Sequence, residues 1–173
     1  MSAISGQTAG SEAPDLASFR HDGKLLFPSL GRIYSSLEPL SYAVLRTAFG
    51  IILLTHGLPK MLGSAHGKMA DPFGTTAMLI QSKLGLPFPV FFAYCVTAIE
   101  TVGALCLAAG LLTRVIAPVV AVEMAMICLV FWPTWAWLDR GMEYAFLMGL
   151  VALHLTMRGG GPYSIDRLLR REL

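Results

Sequence analysis

The sequence predicts an all-α integral membrane protein, a four-helix bundle with both termini in the cytoplasm. Three observations lead there. Of its 173 residues, 55% are hydrophobic and only 14% charged, against roughly 25% charged in a soluble domain. Four stretches approach the ~20 apolar residues that cross a bilayer. The second and third of these hold one charge each, Glu100 and Glu123, and lack the polar stripe of a soluble bundle helix. The length allows one domain. Such a composition excludes a disordered chain, a secreted disulfide scaffold and a typical cytosolic enzyme. A formal net charge of +2 with no basic stripe argues against nucleic acid as a partner.

The elements follow in order. Residues 1–38 form a polar, partly disordered N-terminal extension. No charged start leads into an apolar run, so the first span itself directs insertion. That span covers 40–62 and contains Arg46, His56 and Lys60. The outer loop, 63–85, includes a short surface helix over 75–84, with Ala77, Ile80 and Leu84 on one side. The second span is 86–113 and the third 115–138; a tight turn at Thr113-Arg114 makes them antiparallel neighbours. The fourth, 141–157, starts with Glu143 close by and is short enough to borrow flanking residues. The four spans make a bundle over 40–158, and 159–173 is a cytoplasmic tail. Its Gly159-Gly160-Gly161-Pro162 run reads as a helix stop, since it follows a helix and opens none.

Orientation follows from basic residues. Arg20, Lys24, Arg32, Arg114, Arg158, Arg167, Arg170 and Arg171 lie on the side of the termini; Lys60, Lys68, Lys83 and Arg140 lie opposite. The richer side is cytoplasmic. Trp132, Trp135 and Trp137 cluster at the far boundary, as in an aromatic belt.

Ionisable groups at membrane depth face a bundle interior and mark function by default. At 1.5 Å per residue, Arg46 lies about 8 Å, Glu123 about 12 Å and Glu100 about 17 Å from the cytoplasmic end. Glu100 is expected to pair with Arg46 first, and Glu123 is the second acidic candidate, which makes these three a structural ion-pairing group. Near the outer end lie His56, Lys60 and Glu143. His56 and Lys60, at i and i+4, share a face, and Glu143 enters from the same side. One imidazole, one ammonium and one carboxylate can bind and protonate an oxygen acceptor. They form the candidate catalytic and ligand-binding site, and the loop with His66 and Pro72 can cover it as a lid. The bland alternative is that Lys60 and Glu143 form an interface ion pair.

Several chemistries are disfavoured. Cys95 and Cys106 lie about 16 Å apart along one helix, beyond disulfide reach, and no C-x-x-C occurs. His56 and His154 differ in depth by about 16 Å, too far for a shared haem. No phosphate loop, dinucleotide fingerprint, nucleophile elbow or metal spacing is present, so no metal and no intrinsic cofactor are expected.

Four motifs occur in order: Arg46-x9-His56-Gly57-x2-Lys60, Glu100-x2-Gly103 running on to Gly110-Leu111-Leu112-Thr113-Arg114, Gly141-Met142-Glu143-Tyr144, and Arg158-Gly159-Gly160-Gly161-Pro162-Tyr163-Ser164-Ile165-Asp166. Together they resemble the DoxX family of small four-helix membrane proteins, over about residues 40–169. Glu123 and the N-terminal extension fall outside that pattern. The resemblance implies a multi-pass protein of the bacterial inner membrane, in a family linked to terminal quinol oxidation, thiosulfate:quinone oxidoreduction and oxidative-stress complexes.

Three functions are compatible with these features. The first is an accessory subunit of a respiratory or redox membrane complex. The second is a quinone-interacting oxidoreductase subunit, with His56, Lys60 and Glu143 touching quinone; if the protein is an enzyme, it is a quinone-linked one. The third is a small-solute or proton pathway through Glu123, Glu100 and His154. The expected partners are the lipid bilayer and either other membrane subunits or further copies of the chain.

Overall fold

The computed structural model describes residue 27 and residues 30–169. The described residues form helices and turns with no strand. The chain divides into two compact units, residues 1–35 and residues 36–173. The first contributes, among the described residues, Phe27 and the opening of helix α1, where the Ser35 hydroxyl donates to the Arg32 carbonyl. The second unit holds everything that bears on the site.

Helix α1 spans Leu30–Leu62, so it starts ten residues before the expected span. Residues 30–38, assigned above to a polar extension, are helical because Leu30, Ile33 and Leu37 repeat at helical spacing. Gly63, at φ 63°, ends α1 in a left-handed cap, and the Ser64 N–H donates to the Pro59 carbonyl at 3.0 Å.

The outer loop contains helix α2, Pro72–Leu84. It begins three residues earlier than expected because Asp71 caps it. The Asp71 carboxylate accepts from the Gly74 N–H at 2.8 Å, and Pro72 occupies the first helical position, where its missing N–H costs nothing. Gly85, at φ 63°, closes it.

Helix α3 runs Pro89–Ala109 and contains one π turn, Ile99–Gly103. Gly110, at φ 71°, ends it. The turn to the next helix is therefore 110–112 rather than Thr113-Arg114. Helix α4 is Thr113–Phe131, and it ends seven residues before the expected third span does. Trp132 precedes Pro133, a position that leaves the α region, and its ψ is 137°. A 3₁₀ turn, Trp137–Asp139, follows. Helix α5 is Glu143–Arg158, and α6 is the single turn Ile165–Leu168.

Three helices, α1, α3 and α4, are long and apolar enough to cross a membrane. At 16 residues α5 rises about 24 Å, short of the ~30 Å hydrocarbon core. The burial pattern is that of a chain solvated by lipid. Val102, Leu105 and Val122 are exposed, whereas Arg46, Glu100 and Glu123 are buried. This is a multi-pass membrane protein in contact with the bilayer.

Small residues bring the helices together. Tyr42, Arg46, Phe49, Gly50, Leu53 and Gly57 form one buried stripe on α1. A Cβ on Gly50 would sit 2.6 Å from the Ala104 carbonyl oxygen, so α1 and α3 meet backbone to backbone. Buried Ala145, Met148, Ala152 and Leu155 repeat along α5 and join Ala117, Val120 and Met124 of α4 in the core.

Candidate functional site

A cavity of about 590 Å³ opens among α1, α2, α3, α4 and α5. Most of its wall is aliphatic or aromatic, with Leu53, Leu79, Val96 and Ile127 as examples. A polar group interrupts that wall: His56, Lys60, Glu100 and Glu123 all line the cavity.

The Lys60 ammonium pairs with Glu100 Oε2 at 2.5 Å. The two side chains are 11% and 4% exposed, so water screens the pair little. Glu100 stands on the π turn of α3. Such a turn widens the helix and loosens its regular bonding, and π turns recur at functional sites. Below it, the Thr101 hydroxyl donates to the Thr97 carbonyl at 2.6 Å, and that of Thr97 donates to Ala93 at 2.8 Å. Each hydroxyl thus bonds back one turn to a carbonyl of its own helix, so neither is buried unpaired. Gly57 of α1 lets the π turn come close: a Cβ there would lie 2.7 Å from Glu100 Cβ.

The carboxyl of Glu123, on α4, adjoins that of Glu100. Both Glu123 oxygens are buried, and neither receives a hydrogen from a donor among the described residues. Lys60, Glu100 and Glu123 thus form one buried triad from three helices. His56, one turn before Lys60, meets the ring of His66 with centroids 5.0 Å apart. His66 and α2 supply the wall on the loop side.

The expected outer trio therefore divides. His56 and Lys60 line the cavity; Glu143 does not. Its carboxylate turns back and accepts from the Trp137 N–H at 3.3 Å, closing the 3₁₀ turn ahead of α5, and its neighbour Tyr144 faces the cavity instead. Glu100 fills the place expected for Glu143. Lys60 reaches it because a lysine stem extends inward from near the end of α1.

The expected Arg46–Glu100 pair is not formed. Arg46 is 2% exposed and serves a second cluster. Its Nη1 donates to the carbonyls of Leu107 and Ala108 at 2.6 and 2.7 Å, and its Nη2 to that of Tyr163 at 2.6 Å. Both belong to the last turn of α3, where carbonyls run short of helical partners; that of Leu107 also accepts from the Gly110 N–H at 3.1 Å. A cation there also meets the negative end of the helix dipole. Asp166 completes this cluster. Its N–H donates to the Gly110 carbonyl at 3.0 Å, and its carboxylate accepts from the N–H groups of Leu112 at 2.8 Å and Thr113 at 3.1 Å. It thereby caps α4 from more than fifty residues away. The Tyr42 hydroxyl donates to the Gly159 carbonyl, and Arg158 lies 4.1 Å over the Tyr42 ring while pairing with Glu38. His154 meets Tyr42 edge-on, with centroids 6.0 Å apart, and is absent from the cavity wall. The series Glu123, Glu100, His154 is thus divided between the two clusters.

A family model described as DoxX matches residues 41–133. The chain belongs to the DoxX family. The match contains Arg46, His56, Lys60, Glu100 and Glu123, and stops short of Glu143. Among curated proteins, this DoxX chain is similar to "Putative oxidoreductase CatD" of Bacillus subtilis (strain 168), 28% identical over 123 residues, which is 71% of this chain and 82% of that relative. No solved structure matches it.

Among the described residues, no group of histidine, cysteine, aspartate and glutamate side chains could hold a metal ion. Sequence reasoning set Glu100 and Glu123 in one group but missed Lys60 as their cation and Asp166 as a cap. The charge of Lys60 at depth was a signal for the first. For Asp166 the signal was a Ser164-Ile165-Asp166 helix start directly after a glycine stop.

Proposed function

We propose that this DoxX protein is a four-span subunit of a redox assembly in the bacterial inner membrane, with both termini cytoplasmic, and that its cavity receives a quinone-type ring. In this reading α5 and its flanking residues form the fourth span. The observation that carries the reading is the buried Lys60–Glu100 pair beside His56, facing an otherwise apolar cavity. The volume is within the roughly 300–1,000 Å³ of small-molecule sites, which are mostly apolar with a few convergent polar groups. The name of the Bacillus subtilis relative, "Putative oxidoreductase CatD", points the same way.

The residues fit such a ligand. Lys60 carries three N–H donors, one of them engaged by Glu100, so others can hold a ring oxygen. His56 can exchange a proton with that oxygen. The side chains of α2 keep water from the ring. A bound quinone supplies two-electron redox chemistry, and the electrons come from a partner subunit. The accessory-subunit reading shares this location, but docking alone needs no cavity with a charged wall.

Quinone content tests the proposal. The protein is purified from cells in mild detergent, extracted, and its quinone measured by chromatography. About one quinone per chain is expected, with loss in Lys60→Met. A content no higher than that of an unrelated membrane protein purified alongside overturns the reading.

A further inference from the structure

The buried triad carries one acid more than its cation can match. Lys60, on α1, pairs with Glu100 on the π turn of α3. Glu123, on α4, adjoins the Glu100 carboxyl and is 7% exposed. The other titratable side chains on the cavity wall are His56 of α1, His66 ahead of α2, Cys95 of α3 and Tyr144 of α5; α2 itself adds none. Lys60, His56, His66 and Tyr144 put donors on that wall, yet none of them donates to either Glu123 oxygen. With both carboxyls ionised, the triad would hold one surplus negative charge, and two like charges would lie side by side away from water. Carboxylates that share such a site do not both ionise, and a buried charge persists only when it is paired.

A single proton answers both difficulties. We propose that Glu100 and Glu123 are a proton-binding site, which holds one proton between the two carboxyls at neutral pH and exchanges it with water through the cavity. The O–H of one carboxyl is donated to an oxygen of the other, so Glu123 gains the hydrogen bond that no other described side chain gives it. The negative charge that remains meets the Lys60 ammonium, and the triad as a whole is neutral. Both carboxyls line the cavity, which is the route by which the proton comes and goes. Release of the proton to water breaks one O–H bond and leaves two carboxylates beside one ammonium. Uptake restores neutrality, and no electron moves in either direction. The site needs no ring in the cavity, so it stands or falls apart from the quinone reading.

Infrared spectra of the full-length protein at neutral pH, in a detergent free of ester groups, test this. Exposed carboxyls, with ordinary pKa values of about 4, are ionised there. A carboxylic-acid C=O band equivalent to about one group per chain is expected, since the coupled pair keeps one proton. In heavy water the band should move to lower frequency as the proton exchanges, whereas a band from lipid esters stays where it is. Glu123→Gln and Glu100→Gln should each abolish the band, because the carboxyl left behind ionises to pair with Lys60. Absence of the band from the native protein overturns the proposal. A band that survives Glu100→Gln shows a proton that is not shared, and one that survives Glu123→Gln comes from another group; either result overturns it. A band that does not move in heavy water overturns it as well. If a substituted chain does not fold, the native spectra in light and heavy water decide alone.

Discussion

Removing Lys60 should cost far more than removing its partner Glu100. Lys60→Met leaves two adjoining carboxyls, Glu100 and Glu123, with no cation among residues that are almost fully buried. Breaking a buried pair by deleting one partner costs about 3–5 kcal/mol, and the exposures of 11% and 4% place this pair in that regime. Glu100→Gln is milder. The amide keeps an acceptor oxygen, and the neighbouring Glu123 carboxyl can take over the charge of Lys60, so about 1–2 kcal/mol is lost. In the double variant no ammonium is buried, and only one carboxyl remains. Its cost should not exceed that of Lys60→Met alone, which makes the coupling between the two sites at least about 1 kcal/mol. Reversible unfolding in mixed micelles, followed by helical circular dichroism, measures all four corners of the cycle. Equal costs for the two single variants, or a double variant equal to their sum, would refute the reasoning.

Three further outcomes are expected. Asp166→Ala strips two backbone N–H groups at the start of α4 of their acceptor and should cost about 2 kcal/mol, seen as a lower melting temperature and faster proteolysis of the C-terminal segment. Gly57→Ala drives a methyl group into the π turn beside Glu100; it should cost about 1–3 kcal/mol and reduce quinone retention, whereas Gly63→Ala meets no neighbouring atom and should cost only the roughly 1–2 kcal/mol of its left-handed backbone with retention unchanged. A reporter active only in the periplasm should stay silent when fused after Leu173, and activity there would reverse the proposed orientation.

The separate fates of Arg46 and Lys60 show how far local sequence signals reach. Both are cations in the first apolar segment, and intramembrane position alone marks both as functional or structural. Depth counting pairs Glu100 with Arg46, since it assigns rise along each helix and nothing about side-chain reach. Lys60 extends down from near the end of α1 to Glu100. Arg46 lies beside Asp166 rather than Glu100, and donates to carbonyls at the end of α3 and to that of Tyr163. Glu143 looks equivalent to Glu100 by composition, yet a turn of seven residues folds its carboxylate onto the Trp137 N–H.

The sequence by itself determined the membrane character, the helical class and the DoxX family, because hydropathy, helical periodicity and ordered motifs are properties of neighbouring residues. It also bounded the outer loop at Gly63 and Gly85, both left-handed caps, but carried the second and third spans through Gly110 and Pro133, where the helices end. Only the tertiary structure decided which charges meet. It set Lys60, Glu100 and Glu123 together from three helices and gave Asp166 to the start of α4. The physical reason is range. A helix forms from contacts three and four residues apart, whereas an ion pair is fixed by how closely two backbones approach, and here that approach depends on the packing of Gly50 and Gly57 against α3.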